Sequence, residues 1–514
     1  MIFMNAKNSL SMNRTLKTTV AAALLFWSAG LFAQTFDIVE RRDFWNAGRN
    51  VNGLRTDSLT VSYAELKADY TSGKFRDVND PKSVWSAGAE AGTIMHLKKF
   101  SMIGAFSFRN SESRKACGSM SARPGYYPVD IYEFTPGRKT RQTYSFLGGI
   151  AVDLNDSWRL GGKIDFAAEN YTKRKDLRHT DYLLDMTVAP SVMWHRGDLA
   201  LGLSYVFSKN SETITAEELG ISSGIYEAFI DKGMMYGVQN NWDNSSLHIK
   251  ESGVSGFPSR ELINGGAMQL QWGNFYADVE ALASEGSTGE KQKMWYNFDG
   301  WSVGVKMDYR LPASGHSHYF RGHYSFSSQD NDESVLEDVT ENGVTIAHKY
   351  GSNTIFTRQN IASGIEWELL YETGEYVNVG FGWAQDRELS TMTYPFINSC
   401  KTDVFNAYAL FLKKFGRFDW KVNAVASKGW DHETHRKSSD IETKGEPFRL
   451  EEYESLMTAY KICAKASVGM ALRYNFRNGI YLDVSYDIMG RIRRKTDVLG
   501  GFRHLETLTI GYNF

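Results

Sequence analysis

The sequence predicts an all-β fold, a single transmembrane antiparallel β-barrel of about 18 strands, with roughly 16 to 20 as the possible range. Three observations lead to this prediction. Apolar and polar residues alternate over long segments, the connections between those segments are short and long in turn, and the chain ends in an alternating segment closed by Phe514.

The alternation has a period of two. Ile480, Leu482 and Val484 share one parity, whereas Asp483 and Asp487 occupy the other. A strand with lipid on one face and a polar interior on the other requires this pattern. Strands of soluble sandwiches also alternate, but they usually have about five or six residues. Many segments here are about twice as long, as membrane crossing requires.

The connections between alternating segments differ in length in a regular way. Short turns fall at residues 155–157, 196–198 and 477–479. In an outer-membrane barrel, short turns face the periplasm and longer loops face outward. We therefore predict long extracellular loops, and the candidate segments are 110–142, 209–263, 328–356, 386–403 and 428–458.

An even strand count places both ends of the barrel on the periplasmic side. Segment 291–299 alternates but would break this parity if it were counted as a strand, so we interpret it as an outer extension of a hairpin. Trp158, Trp194, Trp272 and Trp420 lie near short turns. Tryptophan is enriched at membrane interfaces, so these four residues are predicted to form an aromatic girdle.

The two ends of the chain agree with export. Lys7, Arg14 and Lys17 precede an apolar run at 20–27, and Ala33 offers a cleavage point, which is a secretory signal layout. We predict a signal peptide at 1–33, a periplasmic N-terminal lead-in at 34–57 and an outer-membrane β-barrel at 58–514. The lead-in shows no alternation and could lie inside the barrel.

Composition excludes several other classes. The 514 residues include 58 basic and 60 acidic residues, so nothing suggests nucleic-acid binding. Mean hydropathy is −0.39, and no apolar run beyond the leader approaches the length of a membrane-spanning helix. No spacing of serine, histidine and acidic residues singles out a catalytic group. We therefore expect no enzyme activity and no cofactor, with a hydrolase at the barrel rim as the residual alternative.

Two sets of residues are candidates for function. An aromatic, proline-containing loop can present tyrosines at low entropic cost, either as a ligand or gate loop in the barrel mouth or as a packed structural loop. We predict that it lies at or inside the mouth, paired with inward-facing charges; its candidate residues are Arg123, Tyr126, Tyr127, Asp130 and Arg138. The predicted lumen residues mix both signs, which suits a hydrated or plugged interior without strong ion selectivity: Arg159, Lys163, Asp165, Glu169, Lys306, Asp308, Arg310, Asp483 and Asp487.

Three further groups of residues are weaker candidates for function. The basic segment 173–179 could contact lipopolysaccharide phosphates or could be a solvated charge run. A metal site is not expected: His318 and His323 are predicted on opposite faces of a strand, and the group of Asp431, His432 and His435 lies in a loop. The odd cysteine count allows one disulfide without identifying it: Cys117, Cys400 and Cys463.

Taken with these features, the chain resembles outer-membrane β-barrels of Gram-negative bacteria. More closely, four stretches look like an uncharacterised barrel family of the Bacteroidota: 50–63, 117–144, 173–188 and 209–237. The resemblance implies a barrel in the cell outer membrane, in contact with lipid and lipopolysaccharide and folded by the barrel assembly machinery. It carries no assigned activity and no site residues.

Two functions follow as predictions. The first is a porin-like channel or uptake component for a small polar solute, because an 18-strand barrel is wide enough for a water-filled lumen. The second is a surface binding or structural barrel that acts as accessory to a separate uptake receptor, since loops often carry binding function. Inward folding of segments 110–142 and 209–263 would favour the first function, and an outward shelf would favour the second.

Overall fold

A computed structural model describes most of the chain beyond the predicted leader. The described residues are 36, 39, 41–45, 48–175, 178–216, 227–241, 256–290, 293–342, 344–393, 396–431, 435–436, 450–492 and 499–514. Within them, no helix has the length and apolar character needed to cross a membrane.

Nearly all regular structure is β. The strands are, in chain order, β1 (Val61–Gly73), β2 (Ser83–His96), β3 (Phe100–Ser119), β4 (Asp130–Asp153), β5 (Trp158–Lys173), β6 (His179–Arg196), β7 (Leu199–Ala216), β8 (Glu227–Asp231), β9 (Gly237–Asn241), β10 (Phe257–Trp272), β11 (Phe275–Glu290), β12 (Lys293–Ala313), β13 (His316–Glu341), β14 (Val344–Tyr371), β15 (Tyr376–Thr393), β16 (Phe396–Phe415), β17 (Phe418–Asp431), β18 (His435–Arg436), β19 (Lys465–Asn475), β20 (Ile480–Arg491) and β21 (Phe502–Asn513). The described residues also include a helix, α1 (Leu450–Ile462), and a 3-10 turn (Val51–Arg55).

Eighteen of these strands form a closed antiparallel barrel, which confirms the predicted fold. Each wall strand pairs with the next along the chain, and β7 pairs with β10 and β17 with β19 where short strands intervene. The ring closes where β1 pairs with β21, with Leu66 opposite Ile510. The short strands β8, β9 and β18 are not part of this ring.

The outward face of the wall is apolar. Leu66 and Ile365, for example, are 65% and 67% exposed. Among the predicted girdle residues, Trp158, Trp272 and Trp420 are exposed beside short turns, and Trp194 is partly buried. A barrel that presents such a surface must cover it with an apolar solvent such as lipid.

The two ends of the barrel differ. The short connections and both ends of the wall, at Val61 and Phe514, lie at one end, which we call the turn end; the opposite end is the loop end. At the loop end, three segments predicted as long connections are largely strand. β3 and β4 leave only 120–129 between them, β13 and β14 leave 342–343, and β15 and β16 leave 394–395.

These differences have one cause. Beyond the lipid-facing part of the wall, outward side chains are largely polar, with exceptions such as Val335 and Ile346, so regular alternation of hydropathy stops although the backbone hydrogen-bond ladder continues. The residues at 291–299 agree with the predicted hairpin extension. β12 begins at Lys293, and its first residues pair with the loop end of β11. The predicted long connection 428–458 ends too early, because 459–462 still belong to α1.

Candidate functional site in the barrel interior

The turn end of the lumen holds the described residues of 36–56, which we call the plug. Val51 and Leu54 pack with the wall residues Ile103 and Leu147 on β3 and β4. Across the ring, Trp45 is 1% exposed and belongs to a cluster with wall residues of β11, β15 and β16. The plug therefore crosses the lumen. It is the described part of the predicted lead-in at 34–57.

Ion pairs fasten the plug to the wall at three places. The Nε of Arg49 lies 2.8 Å from Oε2 of Glu280, and both side chains are 7% exposed. Arg41 pairs with the fully buried Glu368, and Arg55 pairs with a carboxylate at the β4–β5 turn. Breaking one partner of such a buried pair leaves an uncompensated charge, which costs about 3–5 kcal/mol.

Wall glycines leave room for the plug. A Cβ atom at Gly161 would lie 2.5 Å from Cγ1 of Val51, and one at Gly202 would lie 2.6 Å from the Trp45 ring. A glycine inside a strand often marks such a close backbone approach. These inward glycines are the sequence signal that would have located the plug.

Substituting Gly53 with alanine is expected to dislodge the plug. The added Cβ would lie 2.0 Å from Cβ of Trp45, so one of the two must move, and overpacking of this kind costs about 1–3 kcal/mol. Trypsin cleavage at Arg41 and Arg49 should become faster in intact barrels. Gly104→Ala is the matched control, because the nearest heavy atom to its Cβ is 4.0 Å away. Equal cleavage of the two variants would contradict the packing described here.

The loop end of the lumen holds a second set of segments. We call residues 120–129 the cap loop, and the cap comprises the cap loop, the β8–β9 hairpin and α1. Glu212 on β7 accepts hydrogen bonds from the backbone N of Ala122, at 2.7 Å, and from the hydroxyl of Ser121. Arg123 lies 3.1 Å from a carboxylate oxygen of Asp185. Carboxylates on the inner wall therefore hold the cap loop inside the lumen.

The two tyrosines of the cap loop are 6% exposed each. The hydroxyl of Tyr126 donates to Glu261 at 2.6 Å, and the ring of Tyr127 packs edge-on against Phe298. Arg358 on β14 donates to the carbonyl oxygen of Gly125 at 2.8 Å. The predicted position of the tyrosines thus agrees with the structure, whereas a gating or ligand-binding role stays a prediction.

Strand parity predicts that Arg138 pairs with an inward carboxylate such as Asp165 or Glu169, and Asp130 with an inward cation such as Lys163. The structure shows other partners: Arg138 is exposed and pairs with Glu112 on the neighbouring strand. Asp130 is buried and accepts hydrogen bonds from the Ser119 hydroxyl and the Gly125 backbone. Both residues lie further towards the loop end than the charges predicted to pair with them, because β4 extends into the segment 110–142 predicted as a loop.

The remaining cap elements rest on the cap loop and the wall. Ile131 and Ile230 meet across the β4–β8 pairing and share an apolar cluster with Met120 of the cap loop. In α1, Nζ of Lys461 lies 2.6 Å from Asp386 on β15. The cap therefore has an apolar centre and polar attachments to the wall.

Two cap carboxyl groups face each other. Asp130 and Asp231 are register partners of β4 and β8, and Glu388 adds further negative charge. Both lie beyond the lipid-facing part of the wall, which on β4 begins near Tyr144. Burial raises the pKa of Asp130 to about 7 and that of Asp231 to about 8.

The cap is expected to weaken as the pH rises. Because the pKa of Asp231 is higher in the folded than in the unfolded protein, protonation of Asp231 stabilises the folded cap. This stabilisation is complete below the ordinary pKa of 3.8 and is lost as the pH rises through about 8. Chymotrypsin cleavage in residues 227–237 should increase from about pH 5, where Asp231 is still protonated in the folded protein, to about pH 9, roughly one unit above its folded-state pKa. Asp231→Asn should remove most of this dependence, and a cleavage profile identical to that of the wild type would contradict the assignment.

The predicted lumen residues all lie on the inward parity of their strands. Several pair with an opposite charge on the wall, as Lys306 does with Asp308 at 3.0 Å and Asp483 with Arg473 at 3.1 Å. Glu169 binds Arg141, which also donates to the carbonyl of Ala122 in the cap loop. The charges are thus neutralised locally, and their function as a pore lining remains a prediction.

The weaker candidates from the sequence have different positions in the structure. In the basic segment, Lys173 and His179 are buried, and Lys173 binds Glu133 at 2.5 Å, so neither forms a solvated rim; Arg174, Lys175 and Arg178 are exposed. All three cysteines are free. No group of three potential metal ligands occurs among the described residues.

The predicted opposition of His318 and His323 is confirmed. His318 faces outward and lies beside Trp367, whereas His323 shares the inward parity of Arg321. His432 lies outside the described residues, and nothing is described of the His435 side chain.

Comparison with solved structures finds barrels of Gram-negative bacteria. The FrpB iron transporter from Neisseria meningitidis (F3-3 variant) aligns with a TM-score of 0.42 and 10% identity, covering 89% of this chain and 82% of that chain. The outer membrane transporter YddB from Escherichia coli aligns with a TM-score of 0.40 and 8% identity, covering 88% and 81%. OccAB4 from Acinetobacter baumannii aligns with a TM-score of 0.34 and 9% identity, covering 90% and 100%.

At these identities the likeness concerns the fold alone. No curated protein matches the sequence. A family model described as a family of unknown function (DUF6850) matches residues 53–514. The chain therefore belongs to the DUF6850 family.

Proposed function

We propose that the protein is a gated uptake channel of the outer membrane that admits small polar solutes, with the plug and the cap as its two closures. The outward apolar face would contact lipid. Exposed Arg174, Lys175 and Arg178 at the loop end would contact phosphate groups of lipopolysaccharide. The cap would then face the exterior and the plug the periplasm.

The observation that carries this proposal is the polar lining of the wall between plug and cap. Inward positions there include Ser145, Ser302, Ser327 and Asn406, with few large apolar side chains between them. A sealed barrel would gain stability from an apolar, close-packed interior, because buried polar groups add little net stability. A lining of small polar side chains suits a space through which water and solutes pass.

Both closures have features of movable elements. The plug is a short segment that ion pairs attach to the wall in addition to apolar packing, and the cap loop is held by hydrogen bonds to Glu212, Glu261 and Arg358. The polar contacts can be exchanged for contacts with water or solute at a modest net cost. A permanently open channel does not fit, because the described plug and cap loop occupy the lumen.

The test is solute permeation into liposomes that contain the full-length protein. The wild type should admit small polar solutes slowly. A variant with Arg49→Gln in the plug and Glu212→Ala at the cap loop should admit them much faster. The control variant is Gly104→Ala, which changes an outward wall position and should behave like the wild type. No permeation through the double variant, with its barrel shown to be folded, would refute the channel.

One observation favours the alternative, a surface binding protein or accessory of an uptake receptor. The outer parts of β13 and β14 pair only with each other and project beyond their neighbours as a ribbon of residues 334–354. Val335, Ile346 and Tyr350 on this ribbon are 48%, 50% and 64% exposed. Exposed apolar side chains on a free strand edge suit a protein partner. Loss of partner retention on shortening the ribbon, with permeation unchanged, would support this second function.

A further inference from the structure

A small cavity lies in the inner wall directly beneath the cap loop. It has a volume of about 40 Å³, and its inward polar lining comprises Ser284, Ser302, Ser327, Gln329, Arg358 and Asn360. Ser302, Ser327 and Asn360 are consecutive register partners across β12, β13 and β14, so their side chains form one row. In the closed state the cavity has room for a few waters only.

Two members of this lining connect the cavity to the cap loop. Arg358 donates to the carbonyl oxygens of Gly125 and Tyr126 at 2.8 and 3.3 Å, and to Oε1 of Gln329 at 3.0 Å. Withdrawal of the cap loop would therefore enlarge the cavity and release the Arg358 donors. The site belongs to the passage that the cap loop covers.

The lining contains hydrogen-bonding capacity that the protein does not use. The Nε2 donor of Gln329 is buried without a hydrogen-bond partner, in a side chain that is 7% exposed. Elsewhere on the same inner face, the buried hydroxyls of Ser145 and Ser427 also lack a partner. Buried polar groups in native proteins are nearly always hydrogen-bonded to protein or to water, so these groups are available to water or to a polar solute.

The site has little net charge. Arg358 is its one ionised group, and the register partner of Arg358 on β15 is the carboxylate of Glu388. On the far wall, Arg109 and Asp69 pair at 2.5 Å, so the opposite charges there also compensate each other. Because Arg358 faces Glu388, an ion would lose its hydration here and gain little net counter-charge, which is costly.

We propose that this row of hydroxyl and amide groups is a binding site for a neutral polyhydroxylated solute of about monosaccharide size. The inference rests on the proposed channel function and names its substrate class. A sugar-like solute presents many hydroxyl groups, each of which donates and accepts. Its hydroxyl groups can replace the hydrogen bonds that water makes to the row, and one of them can accept from Nε2 of Gln329.

The experiment compares three probes of nearly equal size in the liposome assay: glucose, gluconate and glucosamine. They share a carbon skeleton and differ in charge. The full-length variant with Arg49→Gln and Glu212→Ala supplies the open state. Glucose should enter at least about fivefold faster than either charged probe, as expected when binding is discriminated by unmatched polar groups.

A second variant separates hydrogen bonding from pore size. Adding Ser302→Ala, Ser327→Ala and Asn360→Ala widens the passage and removes its hydrogen-bonding groups. Glucose entry should nevertheless become slower, and the preference for glucose should approach one. Ser363→Ala is the matched control, because this β14 serine has the opposite, outward parity and pairs with the exposed Tyr324.

The outcomes distinguish the two proposals. Equal entry of the three probes, or an unchanged preference in the triple alanine variant, would overturn the inference while the channel stands. Entry of none of the probes would overturn the channel and the inference with it. Faster entry of glucose that depends on the row supports both.

Discussion

Arg49→Gln is expected to release the plug from the barrel wall. Glu280 would keep a buried charge without its partner, and the loss for a broken buried pair is about 3–5 kcal/mol. If amide exchange in the plug occurs through its release, protection of residues 48–56 should fall by about a hundredfold or more, since about 1.4 kcal/mol corresponds to tenfold. Hydrogen exchange measured by mass spectrometry would detect this change.

The control is the double variant Arg49→Gln with Glu280→Gln. It removes both charges, so the penalty for an unpaired carboxylate disappears and much of the protection should return. Protection in the wall strands should not change in either variant. Full protection of residues 48–56 in Arg49→Gln alone would mean that the ion pair does not hold the plug.

Glu212→Ala is expected to have an effect of similar size at the cap. Its Oε1 accepts hydrogen bonds from the Ser121 hydroxyl and from the backbone N–H of Ala122, which also donates to Oδ2 of Asp181 at 2.6 Å. Removing Glu212 leaves the buried Ser121 hydroxyl without its acceptor, at about 1–3 kcal/mol, and leaves the Ala122 N–H with Asp181 as its remaining acceptor. Chymotrypsin should then cleave the chain after Tyr126, which is buried in the wild type.

Glu212→Gln is the matched control for this prediction. Its amide oxygen can accept the same hydrogen bonds, and its amide nitrogen can donate to Asp181. Cleavage after Tyr126 should therefore stay close to that of the wild type. If the alanine and glutamine variants were cleaved equally fast, hydrogen bonding to the Glu212 oxygen would not be what holds the cap loop.

The wall could be predicted from the sequence because lipid imposes a period of two on every strand that crosses it. The predicted count of about 18 strands agrees with the 18 strands of the ring. The interior could not be predicted in the same way. The plug and the cap loop contact wall residues that are distant in the chain, as Arg49 contacts Glu280, and no local pattern encodes such pairs.

Two failures show the limit more specifically. Arg138 was assigned an inward carboxylate from strand parity, but a parity fixes the face of a strand and not the height of a residue along the barrel. Helix α1 was missed because its contacts are made mainly by a few residues, such as Tyr460 and Lys461, and its apolar positions form no strong stripe. Prolines and tyrosines in the cap loop did signal burial, because a stiff aromatic loop gains from packing.

Single-channel conductance in planar bilayers tests the central claim most directly. The plug and the cap lie in series along one lumen, so each alone should limit the current. The wild type, Arg49→Gln and Glu212→Ala should conduct little, and the variant with both substitutions should show stable steps that are far larger than the sum of the single effects. Large steady conductance of the wild type, or no conductance of the folded double variant, would contradict a lumen closed by two movable segments.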